Sequence, residues 1–143
     1  MKNENYKSSI TANTTANEAF KGICKVNEWW GNIEGKTEGL NDVFTYHPND
    51  TWVTFKITEC IPDEKIVWHV TDCFLHWLKD KTEWKNTDVV FEISEKGNTT
   101  QINFTHIGLS PEVECYEGCV KGWDQYFKGS LQKLLSEGKG TPQ

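Results

Sequence analysis

The sequence contains no arginine. All 15 basic residues are lysine, against 21 acidic residues, for a formal charge of −6 over 143 residues. An acidic chain of this kind is poorly suited to coating the phosphate backbone of nucleic acids. It also lacks the planar guanidinium fork that grips carboxylates and phosphates in two places. No stretch approaches the roughly 20 apolar residues of a membrane span. The opening Met1–Lys7 segment has no apolar run behind it, so no signal peptide is predicted. Phosphate-binding loops, nucleophile elbows, metalloprotease helices, dinucleotide fingerprints, internal repeats and low-complexity tracts are all missing. The five cysteines (Cys24, Cys60, Cys73, Cys115, Cys119) are an odd number at irregular spacing. Without an export signal, that pattern predicts reduced thiols in a cytoplasmic protein.

What the sequence has in quantity is tryptophan, seven residues in a length that suits one domain. Such side chains must be buried or must cover something. Tyr6 to Ala12 alternates and is rich in Ser and Thr, which predicts a first strand. Thr15-Ala16-Asn17-Glu18 is a capping box opening a short helix to about Lys25, with Ala19, Phe20 and Ile23 on its apolar face. A second short helix, Val26 to Trp30, stops at Gly31. Strand signals follow over Val43–Tyr46, Trp52–Cys60, Lys65–Thr71, Thr87–Ser94 and Thr100–Ile107, joined by the turns His47-Pro48-Asn49-Asp50, Pro62-Asp63 and Lys96-Gly97-Asn98. Segment 73–86 carries large apolar residues and is long for a hairpin turn. It reads either as an extension of both strands or as a lid or docking segment.

The last element is a long helix. Ser110 suits the N-cap, Pro111 the first turn, and Gly138 the C-terminal cap. Val113, Tyr116, Val120, Trp123, Phe127, Leu131, Leu134 and Leu135 fall on one broad face. About 26 residues span about 39 Å. Interior Gly118, Gly122 and Gly129 each weaken the helix by about 1 kcal/mol relative to Ala, so only a large packing surface holds it, and it must lie across a sheet.

Several segments in this order carry a resemblance. They are Asn27-Glu28-Trp29-Trp30, Ile57-Thr58-Glu59-Cys60-Ile61-Pro62, Lys65-Ile66-Val67-Trp68, Phe91-Glu92-Ile93, Thr100 to Leu109, and Gly122-Trp123-Asp124-Gln125-Tyr126-Phe127 with Leu131 and Leu134. Across nearly the whole chain the pattern resembles the START-like (SRPBCC) helix-grip superfamily. Within it, the pattern resembles the family of homologues of the activator of the heat-shock-protein-90 ATPase. The resemblance implies an α+β fold in which a curved antiparallel sheet of about six strands grips the long C-terminal helix. Two short helices follow the first strand, and a cavity lies between sheet and helix. Residues 1–143 would form a single domain, with a flexible tail from about 137 to 143. The superfamily hosts carriers, cyclases and co-chaperones, so no single reaction is implied. The family name implies a chaperone ATPase as partner and a stress-response setting. The eukaryotic activator carries a separate N-terminal domain for much of that contact, and this sequence leaves no residues for one.

Strand alternation puts Ile66, Trp68 and Val70, then Val89, Phe91 and Ile93, then Ile102, Phe104 and His106 on inward faces. The predicted ligand-binding wall is Trp29, Trp30, Trp68, Phe91, Phe104, Tyr116, Cys119, Trp123, Tyr126 and Phe127, with His106 as the orienting polar group. Trp29 and Trp30 point about 100° apart on a helix, so one is expected to pack inward and the other to line an opening. The same rings could instead simply fill the core. His106, near Glu83 or Tyr126, is the candidate general base if the protein is an enzyme. Cys115 and Cys119, one helical turn apart, are with His106 the candidate zinc ligands, although the Cys-x-x-Cys knuckle is absent. The expectation is a non-enzymatic binding module for a small apolar or aromatic ligand, without metal or cofactor. It has no nucleic-acid partner and no membrane span. Trp52, early in a strand, has no assigned place.

Overall fold

Period-two alternation shapes most of this fold. The structure, a computed structural model, describes residues 5–31, 33–47, 50–76, 78–79, 81–109 and 116–142. Its strands are β1 (Tyr6–Ala12), β2 (Ile33–Gly35), β3 (Val43–Tyr46), β4 (Trp52–Ile61), β5 (Lys65–Phe74), β6 (Asp88–Lys96) and β7 (Thr99–Ile107). They form one antiparallel sheet in the order β1-β7-β6-β5-β4-β3-β2. The seventh strand beyond the expected six is β2, whose three residues are too few to show alternation.

Helix α1 (Ala16–Cys24) starts as the capping box predicts: Thr15 Oγ1 accepts the Glu18 N–H at 3.1 Å. Glu95 Oε1 accepts the next free donor, Ala16 N–H, at 3.0 Å. A single turn, α2 (Val26–Trp29), follows. The C-terminal helix comprises α3 (Tyr116–Trp123), a π-helical segment (Asp124–Leu131) and α4 (Gln132–Glu137). The expected start at Ser110 and Pro111, and the contributions of Val113 and Cys115, lie outside the described residues.

The π segment has a physical reason. Cys119, Trp123, Phe127 and Leu131 are all buried at a strict spacing of four. In an α-helix of 3.6 residues per turn, such a row drifts by about 40° per step. The wider i→i+5 turn rotates it back, so the row stays on the core. Burial of that row replaces the regular α-helix expected from the spacing.

Two register shifts in the β4–β5 pairing add a further departure. Thr54 pairs with Asp72 and Phe55 with Val70, so Thr71 is the extra residue. Inward positions on β5 therefore switch from Ile66, Trp68 and Val70 to Cys73. Strand β5 runs on to Phe74, but its return strand begins only at Asp88. Among the described residues between them, Leu75, Leu78 and Trp84 are buried. The Lys81 ammonium caps the turn by donating to the carbonyls of His76 (3.0 Å) and Leu78 (2.7 Å). The expected loose tail is tied down at Gly140, which is buried, and at Thr141, whose N–H donates to Ser130 Oγ at 2.8 Å.

Candidate functional site

The concave face of the sheet and the C-terminal helix enclose a continuous aromatic cluster. Trp30 stacks on Tyr46 with centroids 4.0 Å apart and lies nearly parallel to Trp68 at 6.0 Å. Trp29 stacks on both Trp30 and Trp68 at 6.2 Å. From Trp68 the contacts continue edge-to-face to Phe91 at 4.8 Å and on to Phe104 at 5.3 Å. Phe104 meets Trp123 and Phe127, both at 4.7 Å, and Trp123 returns to Trp30 at 5.0 Å. Offset and edge-on pairs of this kind are the arrangements the ring quadrupole favours.

The structure thus brings together Trp29, Trp30, Trp68, Phe91, Phe104, His106, Trp123 and Phe127, all buried. Cys119 is buried beside them, while Tyr116 and Tyr126 are partly buried against the cluster. Both adjacent indoles face inward, at 0% and 4% exposure, where one had been expected at an opening. Trp30 is the C-cap of α2, still in the right-handed helical region (φ −104°, ψ −64°), and its ring is held inward between Tyr46 and Trp68. Phe44, Tyr46, Phe55 and Trp84 also belong to the cluster, beyond the wall expected from the sequence. The first three could have been found from the alternation of Val43–Tyr46 and Trp52–Ile57. Trp84 sits in an irregular segment that offers no periodic signal.

His106 is the polar centre. It has no exposed surface, and burial holds its imidazole far below its ordinary 6.5, at about 3, so it is neutral. The Trp123 indole N–H can only donate, and it donates to His106 Nδ1 at 3.1 Å. The proton of the neutral ring therefore lies on Nε2, which donates to Thr87 Oγ1 at 2.9 Å. Thr87 in turn donates to the Trp84 carbonyl at 2.6 Å. Trp84 also covers the imidazole edge-on at 4.7 Å and stacks on Trp123 at 5.9 Å. This directed chain ties β7, the segment between β5 and β6 and the C-terminal helix together. It leaves neither ring nitrogen free to take a proton from a substrate.

Other candidates fall elsewhere. Contrary to the expectation of reduced thiols, Cys119 is disulfide-bonded and so is not a free thiolate, whereas Cys24, Cys60 and Cys73 are free. Cys115 lies outside the described residues. Among the described residues, no group of three or more His, Cys, Asp or Glu is arranged to hold a metal ion. Burial, then the neighbouring Cys60 and Glu38, pushes the Cys24 thiol up to about 12. Three described recesses lie at the surface: between α1 and α4, beside α2 near Lys36 and Glu38, and over Ser9 and Asn103 on the outer sheet face. None of the three is lined by the indoles. Trp52 projects from the outer face directly opposite Phe74.

The model of the family described as Activator of Hsp90 ATPase homolog 1-like protein matches residues 23–136. No curated protein matches the chain. Among solved structures, the Aha1 dimer from Colwellia psychrerythraea is 20% identical, with a TM-score of 0.76 over 96% of this chain and 99% of that one. A Staphylococcus saprophyticus protein is 13% identical, with a TM-score of 0.70 over 96% of each chain. A Mesorhizobium loti protein is 12% identical, with a TM-score of 0.69 over 86% of this chain and 92% of that one. These likenesses agree with the α+β helix-grip fold. Among the described residues, no helix is long and apolar enough to cross a membrane.

Proposed function

The chain belongs to the Activator of Hsp90 ATPase homolog 1-like family, and from that premise we propose that it is a single-domain cytoplasmic module that binds a small apolar or aromatic molecule between sheet and C-terminal helix. The fold hosts ligand-binding modules in general. The observation that supports the finer reading is the composition of the gripped space. Its rings come from α2 and its C-cap, five strands, the segment between β5 and β6, and the C-terminal helix, and the described buried polar side chains are only Thr51, Thr100, His106 and Ser130, none of them charged. A charged guest would lose its hydration there without a partner, so the space suits an uncharged, flat molecule. A general-base role for His106 has no such support, because both nitrogens are engaged. The test is a library of neutral aromatic compounds, read by tryptophan fluorescence and thermal stability. A compound that raises the melting temperature, and does so less in Trp68→Leu, is the expected result. A library that shifts neither signal refutes the reading.

A second reading, docking to an Hsp90-type ATPase, is favoured by a separate observation. Trp52 and Phe74 lie side by side on the outer face, each 37% exposed. Exposed aromatic pairs of this kind serve as anchors in protein interfaces. The chain should then raise the chaperone's ATPase rate, and Trp52→Ala should remove that effect without unfolding the protein. No change in rate at saturating protein excludes it.

A further inference from the structure

The single turn α2 ends in Trp29 and is followed by Trp30, two of the largest buried rings, and the Trp29 indole N–H ties it to the Ile23 carbonyl of α1 at 3.2 Å. It is four residues long, and no side chain caps its N-terminus. An isolated turn of that length is not stable alone. It is followed by β2, a three-residue strand at the sheet edge. On its core side stand Trp29 and Trp30, and on its other side lies the segment after α4.

That segment is seated closely. Gly138 takes the left-handed conformation (φ 84°), returns its N–H to the Leu134 carbonyl at 2.9 Å and turns the chain back. Gly140 then passes between α2 and the π segment. A Cβ there would lie 2.5 Å from the Glu28 carbonyl oxygen, 2.9 Å from Ser130 Oγ and 3.0 Å from the Ser130 carbonyl oxygen. Only glycine fits that passage. Thr141 N–H donates to Ser130 Oγ at 2.8 Å, and Ser130 is fully buried. Backbone-to-backbone packing and a partly buried hydrogen bond thus join α2 to the C-terminal helix through the tail.

We infer that residues 138–142 are a latch: seated between Glu28 and Ser130, they hold α2 closed and keep Trp29 and Trp30 in the core, so that a flat apolar guest enters when the segment lifts. The latch rests on the ligand-binding reading for its purpose, but not for its mechanics. When the segment lifts, α2 loses its outer support and can swing at Lys25 and Gly31. The guest then takes the place of Trp30 between Tyr46 and Trp68. A neutral aromatic molecule is the class that stacks there. Because only the open form binds, the closed population lowers the apparent affinity by the fraction open.

The experiment compares the whole chain with a form lacking residues 138–143, with Gly140→Val, and with Thr141→Pro, which deletes the N–H donor and also fixes the backbone at that position. Hydrogen exchange of the Glu28 and Trp30 amides, which bond the Lys25 and Val26 carbonyls at 2.9 and 2.7 Å, reports opening without any ligand. The neutral dye N-phenyl-1-naphthylamine reports guest entry. Exchange at these two amides should rise about tenfold, with β4 to β7 still protected, and the dye should bind about tenfold more tightly. Unchanged exchange at Glu28 and Trp30 overturns the latch whatever the dye does. Loss of protection throughout the sheet also overturns it, since the tail is then a general stabiliser. Faster exchange confined to α2 with no dye binding in any form keeps the latch and refutes the ligand reading beneath it.

Discussion

Burial of His106 should make this protein's stability depend on pH. In the unfolded chain its imidazole takes a proton near its ordinary 6.5, whereas burial holds the folded value at about 3. Between those values the unfolded state binds more protons, so the free energy of unfolding rises with pH. The contribution is fully present above 6.5 and is lost as pH falls, at about 1.4 kcal/mol per unit. From pH 7.5 to 5.0 the loss is about 2 kcal/mol, worth about 7 °C in melting temperature for a chain of this size. The loss in this window is governed by the unfolded value and is the same for any folded value below about 4. The partner for comparison is His106→Gln, whose amide can still accept from Trp123 and donate to Thr87. That variant should be less stable at pH 7.5 by about 1–3 kcal/mol, because its geometry is poorer. Its stability should nevertheless fall less steeply with acid, by about 2 kcal/mol over the window. All other residues are the same in both proteins, so their contributions cancel in the difference. Urea unfolding followed by tryptophan fluorescence at four pH values measures both slopes. Equal slopes would falsify the neutral, doubly bonded imidazole.

Three further outcomes follow from the packing. Thr87→Val leaves the His106 Nε2–H buried without an acceptor and should cost about 1–3 kcal/mol, while Thr87→Ser, which keeps the hydroxyl, should cost less than half as much by denaturant unfolding. Gly22→Ala places a Cβ 2.5 Å from Leu135 Cδ2, where α1 meets α4; calorimetry should show about 1–2 kcal/mol lost, with part recovered when Leu135→Ala makes room, and full additivity of the two changes refutes the contact. Cys24, its thiol pushed up to about 12 chiefly by burial, should react with iodoacetamide at pH 8 far more slowly than the unfolded chain does; equal rates would mean the thiol is open to water.

Where one face of an element repeats, the amino-acid sequence already indicated the structure. The alternation Ile102, Phe104, His106 and the capping box at Thr15 each lead to the observed burial or bond. What it could not indicate are departures from periodicity. The extra residue Thr71 changes the inward phase of β5, and nothing in Val70-Thr71-Asp72 distinguishes it from regular alternation. The π segment satisfies a row spaced by four that is equally compatible with an α-helix up to its second turn. The partners of His106 come from positions 87 and 123, and no spacing rule links those positions to 106. The tail reads as loose because Gly138-Lys139-Gly140 is a flexible composition. Gly140 is instead the residue that fits where a side chain cannot.

A gripped space already filled with rings is compatible with a ligand-binding role if one ring can leave. Returning Trp30 to water forfeits about 2–3 kcal/mol of apolar burial and about 1 kcal/mol of ring pairing. An opening that costs about 3 kcal/mol leaves the competent form near one molecule in 150, and a guest of intrinsic dissociation constant 0.1 μM would then show roughly 15 μM. Shortening the displaced ring removes part of that penalty. Trp30→Leu should therefore bind N-phenyl-1-naphthylamine more than about tenfold tighter than the parent, while unfolding at lower denaturant. Ile57→Ala deletes buried volume on β4 without touching α2, and it should leave dye affinity within about twofold. If both variants tighten binding alike, the dye is filling whatever hole it is offered and Trp30 is not the group a guest replaces. If only Trp30→Leu does, the ring stack between Tyr46 and Trp68 is the site, and its resting occupant is the protein's own indole.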